Sequence, residues 1–534
     1  MKLKQKLLTM ISLGLVVVTT ACGATGPNCF KPEVYEWGST FKSLRYYQGY
    51  HDPFSEIPVQ VGNSWKSKIM VSNVKALVVP VDFTDYPADD PKTTENEEEI
   101  IKSDLNKAVF GAPEETRWHS LKSYYEATSF GQCKVSGEVV DTFHLGIGIQ
   151  DFQKGKNFGF AHTSNPNGFA SATSTNATKM LANAIQSMYD VGGSRYGEIN
   201  LNDYDANKDG YIDSLIMIYT CPPHVRANGK AVDDDLFWAF RWSSNGTPTA
   251  TAPAADSFFW ASYETFFEGG KNAGVDSHTL IHEFGHILSL PDFYNYDYNG
   301  IDPMGSIDMM DHNIGDHNAF SKALLGWITP RIVTNGGTFE LQSTTDTGDF
   351  LIIPQPGKWY DYNDTSKRWD GTMLSQFIMI EFITPTGVAK ADGERPYSTG
   401  WPLYYNQPGI RIYHVDARIG QFIRDNNGYK FSGYTIATKY AGSGQGYCDF
   451  ATSNTTSEMA FKDNPLMTLV SSTGENWKYR GTADNEDLYY PGDSLKGYKF
   501  FDNVGEQTIS VGYDIVVKKI NGNESATVQL IKRK

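Results

Sequence analysis

Cysteine is scarce in this sequence, with 5 in 534 residues. That excludes a disulfide-built scaffold, and a chain of this length can bury a large core without bridges. Cys29, Cys133, Cys221 and Cys448 follow no metal-site spacing and nothing like a cysteine switch, so they read as small buried residues with room for one bridge. Basic charge is also short: 46 Lys and Arg stand against 62 Asp and Glu, a net of -16. Such a chain has no general electrostatic attraction to nucleic acid or to anionic lipid surfaces. Long apolar runs are missing beyond the first two dozen residues, so nothing downstream is apolar enough to cross a membrane. No repeat recurs at a fixed period, which sets aside solenoids and propellers.

The first residues indicate where the protein works. Lys2, Lys4 and Lys6 make a positive start, and the apolar stretch from Leu7 to Ala21 has the length of a signal segment. It runs into Thr19-Thr20-Ala21-Cys22-Gly23, where a small residue before cysteine looks like a bacterial lipoprotein cleavage site. The expectation is a signal peptide over 1–21 and lipidation at Cys22, giving an extracellular, cell-surface protein held to the membrane by a lipid anchor. Ordinary secretion with an incidental Cys22 is the alternative. Removal of 1–21 takes three lysines and no acids, leaving a net charge of about −19.

There are 11 histidines, and two of them stand four apart in His282-Glu283-Phe284-Gly285-His286. The surrounding run reads as one helix. Asp276 or Ser277 can cap it, and Leu280, Phe284, Ile287 and Leu288 can form its apolar face. Residues four apart on a helix point the same way, so both imidazoles can reach one zinc ion. Glu283 then faces the open side of the metal, where it can take a proton from a bound water that attacks a carbonyl. A helix that carries the pattern by accident is the competing reading.

A zinc enzyme of this type needs a third protein ligand. The next glutamate after Glu283 is Glu340, in a stretch that reads as a strand, which argues against a glutamate from a second helix. Six residues after His286 stands Asp292, just past Pro291, which marks the helix end. A carboxylate there is an acceptable ligand. The turn between is usually made by glycine in a left-handed backbone. Ser289 stands there instead, at a cost of about 1–2 kcal/mol if the turn is kept. Asp297, Asp302 and Asp308 are the nearby substitutes.

At 282–294 the chain resembles the immune inhibitor A-like family of secreted bacterial zinc metallopeptidases, in which a His-Glu-Phe-Gly-His helix is followed by Leu-Pro-Asp and an aromatic. Val74–Asp85 resembles the family's opening strand, and Ser120–Gly131 its early helix and turn. Asp308-Met309-Met310 followed by Lys322–Trp327 is similar to the stretch bearing the methionine turn beneath the metal, with Met310 at the family position. Gly409–Asp416 is similar to a late strand. These blocks span roughly 70–420 in the expected order. The resemblance implies a zincin-like (metzincin-type) α/β metallopeptidase domain, one catalytic Zn2+, and a protein or peptide substrate.

The texture of the chain suggests the organisation. Residues 22–70 are irregular and aromatic-rich, a tether or short leader. Residues 71–330 alternate strand signals, at 74–83 and 214–219, with helix signals, at 96–109 and 173–189. This is the expected zinc metallopeptidase domain. After Pro330 come short alternating runs between turn residues, which read as a β-rich C-terminal region over 331–534.

A second metal signal lies at Asp203–Asp213. Oxygen-bearing residues at every second position, then glycine, match a calcium loop. Asp205, Asn207 and Asp209 would give side-chain oxygens, Tyr211 its carbonyl, and Asp213 would close the loop, since the twelfth position is Ile216 rather than glutamate. At least one structural Ca2+ is therefore expected; the bland reading is a solvated acidic turn. His278, one turn before His282, reads as structural rather than as a support for the metal site. His312 and Tyr294 are candidates to donate to an oxyanion, with surface placement the simpler reading for His312, and His414 and Asp416 read as structural. The sequence thus predicts a zinc metalloendopeptidase, held by His282, His286 and Asp292, with Glu283 as general base. The alternatives are a catalytically inactive surface-binding lipoprotein on a peptidase fold, against which the intact Glu283 argues, and a hydrolase of a non-peptide bond.

Overall fold

The computed structural model describes residues 60–61, 64–65, 73–89, 96–155, 174–190, 199–206, 208–227, 230–231, 236–244, 246–268, 270–288, 290–296, 302–328, 330–333, 335–356, 362–363, 368–369, 376–426, 428–434, 442, 444–455, 464–475 and 481–534. The signal segment, Cys22, Cys29, Asn207, Ser289 and Asp297 lie outside them.

The first half is built on a mostly parallel sheet. Its strands are β1 (Asn73–Asp82), β2 (Lys134–Val139), β3 (Ser214–Tyr219), β4 (Phe240–Ser243) and β5 (Ser257–Ser262). They lie in the order β4-β5-β3-β1-β2, with every pairing parallel except β4 on β5. From Ala76 to Val81 and throughout β3 and β5 no residue faces water. That is why these segments are continuous apolar runs: a parallel strand covered on both faces has no solvated side. Helices α1 (Glu97–Phe110), α2 (Leu121–Thr128) and α3 (Ser174–Asp190) supply the cover. The Asn96 side chain caps α1 by accepting from Glu99 N, and Ser120 caps α2 by accepting from Ser123 N. Helix α4 (His278–Ile287) packs against β4 and β5, the edge of this sheet. Two short helices follow, α5 (Met309–His312) and α6 (Ala319–Leu324).

Beyond residue 330 the chain is β-rich with mixed pairing. Strands β6 (Arg331–Ile332), β8 (Phe350–Pro354), β9 (Gln376–Ile383), β10 (Gly409–Asp416) and β11 (Met467–Leu469) form one sheet. Strands β7 (Gly337–Gln342), β12 (Ser494–Leu495), β13 (Tyr513–Asn521) and β14 (Ser525–Lys532) form another, in the order β7-β14-β13-β12. Glu340 lies on β7, as its sequence suggests.

Period-two alternation explains how the halves join. Along β9, Ile378, Ile380 and Phe382 face the second sheet and its core of Phe339, Leu341 and Val528. Phe377, Met379 and Ile383 face the other way, into the cluster that holds Phe284 of α4 and Met310 of α5. The hydrophobic core is therefore continuous across residue 330. Among the described residues no helix is long and apolar enough to cross a membrane.

Candidate metal centre and cleft

Helix α4 presents two faces. Leu280, Phe284, Ile287 and Leu288 are each at most 2% exposed, which is the apolar face expected from spacing. Asp276, rather than Ser277, caps the start, because its Oδ1 accepts the His278 N–H at 3.0 Å. The Ser277 hydroxyl donates instead to the Ala108 carbonyl.

On the other face His282 and His286 converge with Asp292. His282 Nδ1 lies 2.8 Å from the Met309 carbonyl, and His286 Nδ1 lies 2.7 Å from that of Leu290. A carbonyl only accepts, so each Nδ1 carries its ring's proton and each neutral ring turns a lone pair outward at Nε2. Those two nitrogens are 3.2 Å apart, and Asp292 Oδ1 is 3.0 and 3.1 Å from them. Three acceptors thus face one another. Asp292 Oδ1 is buried without a hydrogen-bond partner.

Only a positive charge between them relieves this arrangement. A proton is one candidate: burial opposes charge on His286, yet Asp292 outweighs it and raises the imidazole to about 9. One proton would join one pair and leave the third acceptor against a lone pair. A metal ion satisfies all three, and tetrahedral ligands about 2.0–2.1 Å from zinc would stand roughly 3.3 Å apart, close to the spacing seen. The donor set of two imidazoles and a carboxylate fits zinc. The Tyr296 hydroxyl donates to Asp292 Oδ2 at 2.5 Å, which turns Oδ1 toward the histidines. Nothing in the sequence singled out Tyr296 or the Met309 carbonyl.

Glu283 is buried beside the histidines, and burial pushes its carboxyl up while His286 and His282 draw it down. The Arg241 backbone N–H, on edge strand β4, donates to it. A carboxyl raised toward neutrality in a cleft is suited to proton transfer. The cleft holds about 410 Å³. His282, Glu283 and Tyr294 line it from one half of the chain, and Tyr397 and Trp401 from the other.

Met310 packs beneath α4. A Cβ on Gly285 would stand 2.5 Å from Met310 Sδ, so the small residue within the motif is what admits the methionine. His278 lies between the rings of Trp118, at 3.8 Å, and Tyr397, at 4.2 Å. Its Nδ1 is 2.6 Å from Asp276 Oδ1 and its Nε2 is 3.1 Å from Asp392 Oδ1. Burial opposes its charge, but Asp276 and then Asp392 outweigh it and raise it to about 9. It clamps the start of α4 to the C-terminal region. His312 is half-buried, 2.8 Å from Asp311 and edge-on to Trp401, and like Tyr294 it lines the cleft. His414 bonds Gln376 and Tyr498, and Asp416 pairs with Arg418.

The 203–213 loop is arranged differently. Asp205 accepts from Asp209 N at 3.0 Å and from Gly210 N at 2.9 Å, and Asp209 Oδ1 accepts from Tyr211 N. Asp213 accepts from Lys75 N and Ala206 N, and burial raises its carboxyl to about 7. Gly210 takes the positive φ of 89° that the turn requires. Cys133 and Cys221 are buried free thiols, the former pushed up to about 12 by burial.

Comparison with known proteins now bears on this geometry. Residues 63–312 match the model of the immune inhibitor A peptidase M6 catalytic domain. This stretch is similar to a peptidase M6 catalytic domain. The chain is 26% identical over 255 residues to a protein named pre-pro-metalloprotease PrtV from Vibrio cholerae serotype O1, covering 42% of this chain and 25% of that one. It is 26% identical over 253 residues to immune inhibitor A of Bacillus thuringiensis subsp. alesti, covering 42% of this chain and 34% of that one. The chain thus spans about a quarter to a third of the length of these curated relatives. The M6 match ends at residue 312, whereas Asp392, Tyr397 and Trp401 belong to the stretch beyond it.

Proposed function

We propose that this chain is an extracellular zinc metalloendopeptidase of zincin-like (metzincin-type) fold. One observation carries the reading: three acceptors, of buried His282 and Asp292 and half-buried His286, face one another with no donor between them, beside Glu283 at a cleft. These three residues would hold zinc, which supplies a Lewis acid for a peptide carbonyl and lowers the pKa of water. Glu283 takes the proton from the attacking water and returns it to the leaving amine. Burial raises its carboxyl above the usual carboxylate range, which favours its accepting that proton. Tyr294, whose ring centroid is 6.4 Å from that of His282, and His312 both line the cleft and are the candidates to donate to the oxyanion. Tyr397 and Trp401 supply apolar surface for a peptide side chain.

The test is a digestion assay on a peptide library with and without zinc. Glu283→Gln should keep zinc and the fold and lose at least ~100-fold in turnover. Asp292→Ala should lose zinc affinity. An active Glu283→Gln protein sinks the base, and a wild-type protein that binds zinc but cleaves nothing supports the inactive surface-binding alternative.

Two further assignments belong to this proposal. Calcium at Asp205, Asn207, Asp209, Tyr211 and Asp213 should raise the thermal midpoint of chelator-treated protein. The gain is about 2.7 kcal/mol at a hundredfold excess over Kd, and Asp209→Ala should remove it; an unchanged midpoint leaves an acidic turn. Lipidation at Cys22 rests on the composition of residues 2–22 alone. Cys22→Ser should move the protein from the membrane to the soluble fraction, and unchanged partitioning would rule the anchor out.

A further inference from the structure

Along the same cleft, where Asp311 and His312 stand with His282 and Glu283, lies a second convergence of ligands. Asp302, Asp311 and His312 each offer an atom within 4.8 Å of the others. Asp311 is 4% exposed, and its Oδ2 is buried with no hydrogen-bond partner. Its Oδ1 lies 2.8 Å from His312 Nδ1. Asp302 is positioned by a tight turn: its Oδ1 accepts from Met304 N at 3.2 Å and Gly305 N at 2.9 Å, and its Oδ2 accepts the Ser306 hydroxyl. That turn aims the half-buried Asp302 carboxylate at the buried one of Asp311. Among the described residues no lysine or arginine pairs with either acid; the partner is His312. Even a charged imidazole would leave this group with net negative charge and one orphan oxygen, which is costly at such burial.

We propose that Asp302, Asp311 and His312 bind a second divalent transition-metal ion, of the zinc or manganese class. The imidazole argues against calcium and magnesium, which take oxygen ligands. The role follows from the chain between the two centres. Asp311 and His312 end α5, and α5 begins with Met309, whose carbonyl orients His282. An ion tying Asp302 to the end of α5 fixes the loop that holds the first centre in register. Its role would be to position the first centre through α5.

The experiment counts metal in the full chain after loading with Zn2+ or Mn2+ and dialysis. Calcium is withheld so that the 203–213 loop does not contribute. Two equivalents are expected in the wild type. Asp311→Asn and, separately, the half-buried Asp302→Asn should each retain one, and so should His286→Ala, which empties the other centre. Because Asp311→Asn removes a buried group and could fail to fold, Asp302→Asn carries the test by itself if it does. One equivalent in the wild type and none in His286→Ala would overturn the proposal and leave a proton shared by the two acids. Two equivalents in a folded Asp302→Asn protein would overturn it as well. Two equivalents in His286→Ala with one in Asp302→Asn would instead sink the first centre and keep the second.

Discussion

Two stretches build the same cleft by opposite means. Residues 276–292 bring a helix cap, the proposed ligands His282, His286 and Asp292, and the proposed base Glu283 from a run of seventeen positions, each located by helix geometry or by a short turn. Residues 376–416 bring Glu381 and Arg411 from adjacent strands, and Asp392, Tyr397 and Trp401 from the chain between them, with no shared spacing; of these Tyr397 and Trp401 line the cleft and the others support it. Arg411 Nε reaches Glu381 Oε2 at 2.9 Å with both side chains at most 1% exposed, and Glu381 Oε1 accepts the Ala319 N–H at the start of α6. Asp392 accepts from Gly315 N at 2.6 Å while also bonding His278. A Cβ on Gly315 would stand 2.3 Å from the Tyr404 ring, so the loop between α5 and α6 is fitted directly against the C-terminal region. The difference teaches that the contiguous stretch carries the groups proposed for the chemistry, whereas the dispersed one holds those groups in position.

The comparison can be broken first at Arg411. Arg411→Ala leaves Glu381 buried and unpaired, which should cost about 3–5 kcal/mol. A denaturant titration reads the loss. If the C-terminal sheet truly supports the first half, a single cooperative transition should shift as a whole. A separate transition for the C-terminal region, with the catalytic one unmoved, would show that the halves are independent.

His278 offers a sharper cut, because it joins the two stretches through one ring. Its value is raised in the fold to about 9, against about 6.5 for an unperturbed histidine. Its contribution is therefore complete below about pH 6.5 and is lost as pH rises through about 9. Asp276 and Asp392 face the ring, with Glu268, His119 and Arg117 as the surrounding titratable and charged groups. Stability measured between pH 6.5 and 9 should fall in the wild type and stay flatter in His278→Gln. Parallel curves would remove His278 as the clamp.

The smallest expected effect is at Gly285. Gly285→Ala drives a methyl into Met310 and should cost about 1–3 kcal/mol as an overpacked contact. A companion Met310→Ala exchange should recover part of that cost. If Gly285→Ala alone leaves the denaturation midpoint in place, the methionine is not held by that contact.

Much of the first half of the chain was legible beforehand. Strand 214–219 and the helices near 96–109 and 173–189 appear within a residue or so of where the apolar pattern puts them. The spacing of His282, His286 and Asp292 corresponds to side chains that meet in space. Tyr296 was missed because a hydroxyl that orients a carboxylate leaves no periodic mark. Tyr397 and Trp401 were missed because aromatics in irregular chain look the same whether they line a cleft or cover a core. His278 reads as a structural residue from sequence, but its partner Asp392 lies more than a hundred positions away.

The sequence by itself determined what short-range geometry can determine: which segments are helix or strand, which face of α4 is apolar, and which four side chains cluster within one helix and its exit. These follow from the 3.6-residue and two-residue periods and from steric limits on the turn, all of which act over a few residues. Tertiary structure alone decided that β9 buries both its faces, that Glu381 and Arg411 meet beneath α6, and that the far wall of the cleft comes from beyond residue 330. Those contacts depend on which distant surfaces bury each other's apolar area, and a local pattern of residues does not name its partner.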